Sequence, residues 1–267
     1  MDLQQLCQSV IEIARSAGDF IKHEAQHFDR SKVEMKGFNN LVSYVDKQAE
    51  DQLVNDLRKA LPEAGFITEE ETATERSDKY NWIIDPLDGT TNFTHGLHHF
   101  AVSIGLMEGE EMVLGVIYNP MHDECFYATK GNGAFLNGKQ IKVSEAPALK
   151  DSLIATGFPY YDFDRTQQYL QVLGSFMATS HGVRRIGSAA LDLAYVAAGR
   201  FEGFFEYNLN AWDVAAGVVI VKEAGGKLSK FTQDGDYIFG REIVASNGNI
   251  HTEMLQTIAQ HWKSSEA

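Results

Sequence analysis

Asp85 and Asp88 lie three residues apart in the string Trp82-Ile83-Ile84-Asp85-Pro86-Leu87-Asp88-Gly89-Thr90-Thr91-Asn92-Phe93. The aromatic and β-branched run from Trp82 to Ile84 reads as a short buried strand, with Asp85 leaving its end. Pro86 fixes its own φ and keeps Asp85 extended, so the Asp85 carboxylate and the Leu87 carbonyl are held in a set relation. Carboxylates and a main-chain oxygen are ligands for a hard cation such as Mg²⁺. Gly89 permits a tight turn, and Thr90, Thr91 and Asn92 then open a helix whose first amides favour an anion. The chemistry this combination suits is a divalent cation meeting a phosphoryl group. Asp-Gly alone is also an ordinary turn signal, and the full string favours the ion site. A second acidic group follows the short strand Phe66-Ile67-Thr68, which delivers Glu69, Glu70 and Glu71 at its end. By composition, such a run is a solvated face.

The string from Asp85 to Phe93 resembles the signature of the inositol monophosphatase family of Mg²⁺-dependent, lithium-sensitive phosphatases. Trp212-Asp213-Val214-Ala215-Ala216-Gly217 is similar to a second signature of that family, and Phe66-Ile67-Thr68-Glu69-Glu70-Glu71 to a looser third. The likeness covers nearly the whole chain in order. It implies an α+β fold, a layered αβαβα sandwich with a mostly antiparallel first sheet, and two to three Mg²⁺ ions per active site. The implied activity is hydrolysis of myo-inositol monophosphate, or a similar polyol or sugar phosphate, by direct attack of a metal-activated water.

The resemblance assigns metal ligation to Glu69, Asp85, the Leu87 carbonyl, Asp88 and Asp213. Paired cations about 4 Å apart stabilise both ends of an in-line displacement. Glu69 and Thr90 orient the water, with Asp46 and Lys36 behind the ligands. Gly89 and Thr90 offer amides to the phosphoryl oxygens, while Ala189, Glu206 and Asp213 face the rest of the substrate. Asn40 stands where the family usually has an acid, and Asn210 where some relatives have histidine. Fructose-1,6-bisphosphatase, histidinol-phosphate phosphatase and 3′-phosphoadenosine-5′-phosphate phosphatase are alternatives sharing the cation cage. The non-enzymatic alternative is a partner of transcription or RNA machinery. A homodimer is a further family expectation.

The residues themselves leave blander readings open. Without the family, Lys36 is a solvated loop lysine, Asp46 a helix-surface acid and Asp213 a helix N-cap. Arg184 and Arg185 are placed equally between a substrate contact and a subunit or protein contact.

The 267 residues carry a formal net charge of −14, which opposes a broad nucleic-acid or anionic-membrane surface. Direct nucleic-acid binding is therefore not expected. An acidic protein that handles phosphate must reverse its field locally, and bound cations do that. Cys7 and Cys125 show neither metal nor disulfide spacing. The N-terminus lacks a signal-like pattern and no apolar run is long enough to span a bilayer, so a cytoplasmic, membrane-free protein is expected.

These residues need elements to position them. Leu3, Leu6, Val10, Ile13, Ala14, Ala17 and Ile21 recur at helical spacing, predicting an amphipathic helix from Asp2 to about His27. A Gly/Asn turn near Lys36 to Asn40 precedes a helical stretch ended by Pro62, and Thr72 to Lys79 reads as a flexible loop or turn near the site mouth. Residues 100–106, 113–118, 125–128 and 134–136 predict a meander of antiparallel strands. A boundary near Pro147 separates residues 1–146, an α/β half with most metal ligands, from residues 147–267, an α/β half with Asp213 and the substrate wall. In the second half, Ser152 to Gly157 is a strand and turn, Asp164 to Thr179 a helix, and Gly187-Ser188-Ala189-Ala190 opens another. Phe201 to Glu206 is a strand aiming Glu206 at the cavity, and Asp213 starts an apolar helix capped by Gly225 and Gly226.

Overall fold

The structure, a computed structural model, describes residues 1–28, 34–37, 40–159, 163–233 and 235–263, with backbone alone at 34–37 and 40–42. In chain order the elements are α1 (Leu3–Ala25), β1 (Glu34–Gly37), β2 (Asn40–Val42), α2 (Tyr44–Ala60), β3 (Gly65–Thr68), β4 (Tyr80–Asp88) and α3 (Thr90–Thr94). Then come β5 (Ala101–Glu108), β6 (Glu111–Asn119), β7 (Glu124–Thr129), β8 (Ala134–Leu136), β9 (Lys139–Ile141), β10 (Leu153–Thr156) and α4 (Thr166–Thr179). The chain closes with β11 (Gly182–Arg184), α5 (Ala189–Ala197), β12 (Gly203–Tyr207), α6 (Ala211–Glu223), β13 (Lys227–Ser229), β14 (Glu242–Ser246) and α7 (His251–Ala259).

Five layers result. The apolar stripes of α1 and α2 cover one face of a seven-stranded sheet ordered β3-β4-β5-β6-β7-β8-β9. That sheet is antiparallel except at β3–β4. Its other face meets α5 and α6, which also pack against a five-stranded sheet ordered β11-β10-β12-β14-β13. α4 and α7 close the far side of that second sheet. The helices α5 and α6 are buried almost all round, as their near-uniform apolar composition requires.

Two glycines let α6 lie flat on the first sheet. Gly105 and Gly115 stand opposite each other in the β5–β6 register, and a Cβ on Gly115 would press into the Ala216 carbonyl of α6. A Cβ on Gly105 would come within 3.1 Å of the Ala215 Cβ. Ser103 then donates to the Trp212 carbonyl at 3.3 Å, fixing where the first turn of α6 sits along β5.

β1 and β2 pair antiparallel on either side of the Gly/Asn turn expected around Lys36 to Asn40, of which residues 38 and 39 lie outside the described residues. Lys36 lies on β1, and its side chain is outside the described residues. The segment expected as a flexible loop is tied down: the Phe66 amide donates to the Glu75 carbonyl and Thr72 is held by Glu50. Cys7 and Cys125 are buried free thiols, which burial pushes up to about 12, so neither is a nucleophile near neutral pH. Among the described residues no helix is long and apolar enough to cross a membrane.

The second sheet contains a buried titratable link. His251, the first residue of α7, is fully buried, with Nδ1 at 2.8 Å from the Ser246 hydroxyl and Nε2 at 2.9 Å from that of Ser229. Burial, then the nearby Lys227, holds the imidazole down at about 4. The folded state keeps it neutral while the unfolded chain takes a proton below about pH 6.5. Its contribution is thus complete above that pH and is lost as pH falls toward about 4. Between about pH 7 and pH 4.5, the unfolding free energy of the native chain should fall by about 2 kcal/mol more than that of His251→Gln, measured by chemical denaturation.

Candidate functional site

The register of β4 explains how two acids three residues apart meet one cavity. In a regular strand, residues i and i+3 point to opposite faces. Asp85 pairs with Ser103 and Asp88 with Ala101, so β4 uses one more residue than β5 over this interval. That bulge at Pro86-Leu87 restores the parity and turns both carboxyls to the same side. The strand therefore continues through Asp88 instead of ending before Asp85 as its apolar run suggested. Asp85 Oδ1 accepts from the Leu87 amide at 2.9 Å, which locks the bulge internally.

The neighbouring elements bring the remaining acids. β3 runs parallel to β4 with Thr68 opposite Ile84, so Glu69 emerges beside Asp85. Asp213 is the third residue of α6, and its carboxyl accepts from the Asn210 amide at 2.6 Å. It closes a capping box around the Asn210 cap; the cap is Asn210, not Asp213. One carboxyl oxygen from each of Asp85, Asp88 and Asp213 lies within 4.8 Å of the others. They share a cavity of about 310 Å³ with Glu69, Leu87, Gly89 and Thr90, and Ala189 and Glu206 form part of its wall.

Electrostatics mark this cluster as incomplete without positive charge. Burial, then the charges of Asp213 and Asp46, pushes Glu69 well above the usual carboxyl range. Burial, then Glu69 and Asp88, does the same to Asp85. Asp88 is pushed up by burial to about 6, against the opposing pull of the Ser188 hydroxyl and the Ala190 and Ala189 amides. Burial and the Asp88 charge push Asp213 up to about 7. A set of buried and half-buried oxygen donors whose negative charges repel one another fits a hard divalent cation.

Gly89, Thr90 and Thr91, at the start of α3, line one side of the cavity. Gly89 caps α3 at φ 99, with no side-chain cap hydrogen bond. A Cβ there would also meet the His99 carbonyl at 2.9 Å, so glycine is required twice over. Asn92, read from sequence as part of an anion seat, is instead a brace: its side-chain amide donates to the carbonyls of His99 and Ile186 at 2.7 and 2.8 Å. Thr90 Oγ1 lies 2.9 Å from Asp46 Oδ1 and 3.1 Å from the Leu87 carbonyl, donating its proton to them.

Asp46 is not the surface acid its local sequence suggests. It is 1% exposed, and its Oδ2 accepts from the Ser43 amide and hydroxyl at 2.8 and 2.7 Å, building the cap of α2. Burial raises it, although those bonds oppose the shift.

On the opposite wall, β12 presents Glu206, whose carboxyl occupies the space that a Cβ on Gly157 would need. Burial, followed by Asp213, pushes it well up. Arg185 lines the same wall and offsets the charges of Glu206 and Asp88. Arg184, one residue earlier on edge strand β11, is exposed.

Two contributors were not apparent from sequence. Ser188 caps α5 and donates to Asp88 Oδ2 at 2.6 Å, joined by the Ala190 amide at 2.7 Å. Asp192, one turn further along α5, is buried in the cavity wall with Oδ1 unpartnered among the described residues. An N-cap serine followed by an acid at i+4 is the local signal for both, but the acid that Ser188 meets is 100 residues away.

The family model described as the inositol monophosphatase family matches residues 2–264. The chain is 42% identical to an inositol-1-monophosphatase of Mesorhizobium japonicum over 254 residues, 95% of this chain and 96% of the relative. It is 44% identical to Nus factor SuhB of Escherichia coli K12 over 246 residues, 92% of each chain. Among solved structures, the extragenic suppressor protein suhB of Bartonella henselae superposes with a TM-score of 0.91 at 41% identity, covering 96% of this chain and 98% of that one. On the matched signatures, the shared layers and this whole-length similarity, the chain belongs to the inositol monophosphatase family.

Proposed function

We propose that the chain is a Mg²⁺-dependent phosphomonoesterase acting on myo-inositol monophosphate or a closely similar polyol or sugar phosphate. The observation that carries this reading is the meeting of Asp85, Asp88 and Asp213 oxygens within 4.8 Å in a cavity that Gly89 and Thr90 also line. Glu69, Asp85, the Leu87 carbonyl, Asp88 and Asp213 would hold Mg²⁺. When bound, Mg²⁺ neutralises phosphoryl charge and acidifies a water.

The chain's own groups supply the rest. With its proton committed to Asp46 and Leu87, Thr90 Oγ1 turns lone pairs outward and accepts a hydrogen bond from the attacking water. Glu69 takes the second hydrogen bond, so the two side chains aim that water along the line of displacement. The Gly89 and Thr90 amides receive phosphoryl oxygens. Glu206 accepts hydroxyl donors of the alcohol portion, with Ala189 leaving room for its ring.

Release of inorganic phosphate from a panel of polyol, sugar, nucleotide and histidinol phosphates tests the reading. Turnover that requires Mg²⁺ and peaks on a polyol monophosphate supports it; no release from any ester with Mg²⁺ present removes it. Lithium inhibition would strengthen the inositol-type assignment.

Metal-linked stability gives a second check. At about pH 5.5, Asp88 and Asp213 hold protons that a cation must displace, whereas at about pH 8 they are repelling charges that a cation relieves. The rise in Tm on adding Mg²⁺ should therefore be larger at the higher pH, measured by thermal unfolding at both.

The relatives named Nus factor SuhB motivate a second reading, a contact with transcription machinery, for which exposed Arg184 is a candidate surface residue. Capture from lysate with and without Mg²⁺, comparing the native chain with Arg184→Glu, separates it from a purely metabolic role.

A further inference from the structure

α2 carries two buried carboxyls one turn apart, Asp46 and Glu50. The first is engaged with Ser43 and Thr90. Glu50, fully buried, accepts from the Glu70 amide at 2.8 Å, the Thr72 amide at 3.0 Å and the Thr72 hydroxyl at 2.8 Å. All three partners are donors, so they call for a side chain with acceptors only.

Between the two clamped amides stands Glu71 at φ 57. A residue with a Cβ adopts that left-handed conformation only under strain, and it persists only where the surroundings hold it. Thr68 closes the same turn from the strand end, donating to the Ala73 carbonyl at 3.2 Å. Glu69 is thus the single residue between the end of β3 and the amide that Glu50 holds.

We propose that Glu50 is a positioning residue: by clamping both flanks of the strained turn at Glu71, it sets where Glu69 enters the acid cluster. Helix α2 then acts on the site twice, through Asp46 on Thr90 and through Glu50 on the backbone after Glu69. The inference rests on the reading of Glu69 as a cation ligand.

Mn²⁺ alone serves as the probe, its free signal followed by electron paramagnetic resonance in titrations of the native chain, Glu50→Gln and Glu50→Asp, with Tm recorded for each. The glutamine amide would turn N–H against N–H, and aspartate falls one methylene short of the turn. Each should weaken Mn²⁺ binding by about tenfold or more. Glu71→Gly, placed on Glu50→Gln, should recover part of the loss, because glycine adopts positive φ without help. A role confined to stability would lower Tm and leave the affinity of the folded fraction unchanged. A folded Glu50→Gln or Glu50→Asp variant that binds Mn²⁺ as the native chain does overturns the proposal. So does failure of both variants to fold, which makes Glu50 a folding residue. If the native chain itself binds no Mn²⁺, the cation reading falls and this inference with it, an outcome told apart because it needs no variant.

Discussion

Asp213→Asn should lower Mg²⁺-dependent phosphate release by about a hundred- to a thousandfold while leaving the protein as stable as before or more so. The asparagine oxygen can still accept from the Asn210 amide, so the capping box of α6 survives. What is lost is a negative charge in a cavity where Asp85 and Asp88 already repel it. Removing that repulsion favours the cation-free fold, and removing a ligand that acts on developing charge costs the rate. Turnover at saturating Mg²⁺ and Tm without Mg²⁺, measured on the same preparation, should move in opposite directions. Near-native turnover would contradict the assignment of Asp213 as a ligand.

Gly115→Ala should damage both stability and activity from a position that carries no polar side chain. The added methyl would press on the Ala216 carbonyl and come within 3.0 Å of the Ala216 Cα. Those are backbone atoms of a buried helix, which cannot rotate away as a side-chain tip can. The cost is about 1–3 kcal/mol of overpacking, seen as a lower denaturation midpoint. If α6 lifts to relieve the clash, Asp213 moves away from Asp85 and Asp88, and a displacement of about 1 Å is enough for a hundredfold loss of turnover. Gly174→Ala is the contrast: this α4 glycine has open space around it, so alanine there should be neutral or stabilising by up to about 1 kcal/mol.

How far the sequence reaches can be followed residue by residue. The stripe from Leu3 to Ile21 specifies α1 because a helical period is local, and the meander strands are set by alternation and turns within a few residues. The αβαβα arrangement and the acids of the cluster came through the signature strings. Their own local context was misleading for Asp46, which sits at a helix start like any surface acid yet is buried against Thr90. Glu50 gave no signal at all, since two of its three partners are the amides of Glu70 and Thr72, which have no residue identity to read, and the third, the Thr72 hydroxyl, belongs to a segment 22 residues away. The Ser188–Asp88 bond joins segments 100 residues apart, which no local pattern encodes. The bulge in β4 is equally hidden, because it exists only relative to the residues of β5 across from it.

That surplus residue at Pro86-Leu87 constrains what lengths this segment can take. Side chains on a strand obey an odd–even rule, so losing or gaining one position there would swap which side of the sheet Asp88 faces, sending it toward the α1 and α2 layer. Substitutions between the two aspartates are therefore a matter of degree, while a one-codon insertion or deletion is a matter of kind. Drift in length here would dismantle the cluster even with every acid still encoded.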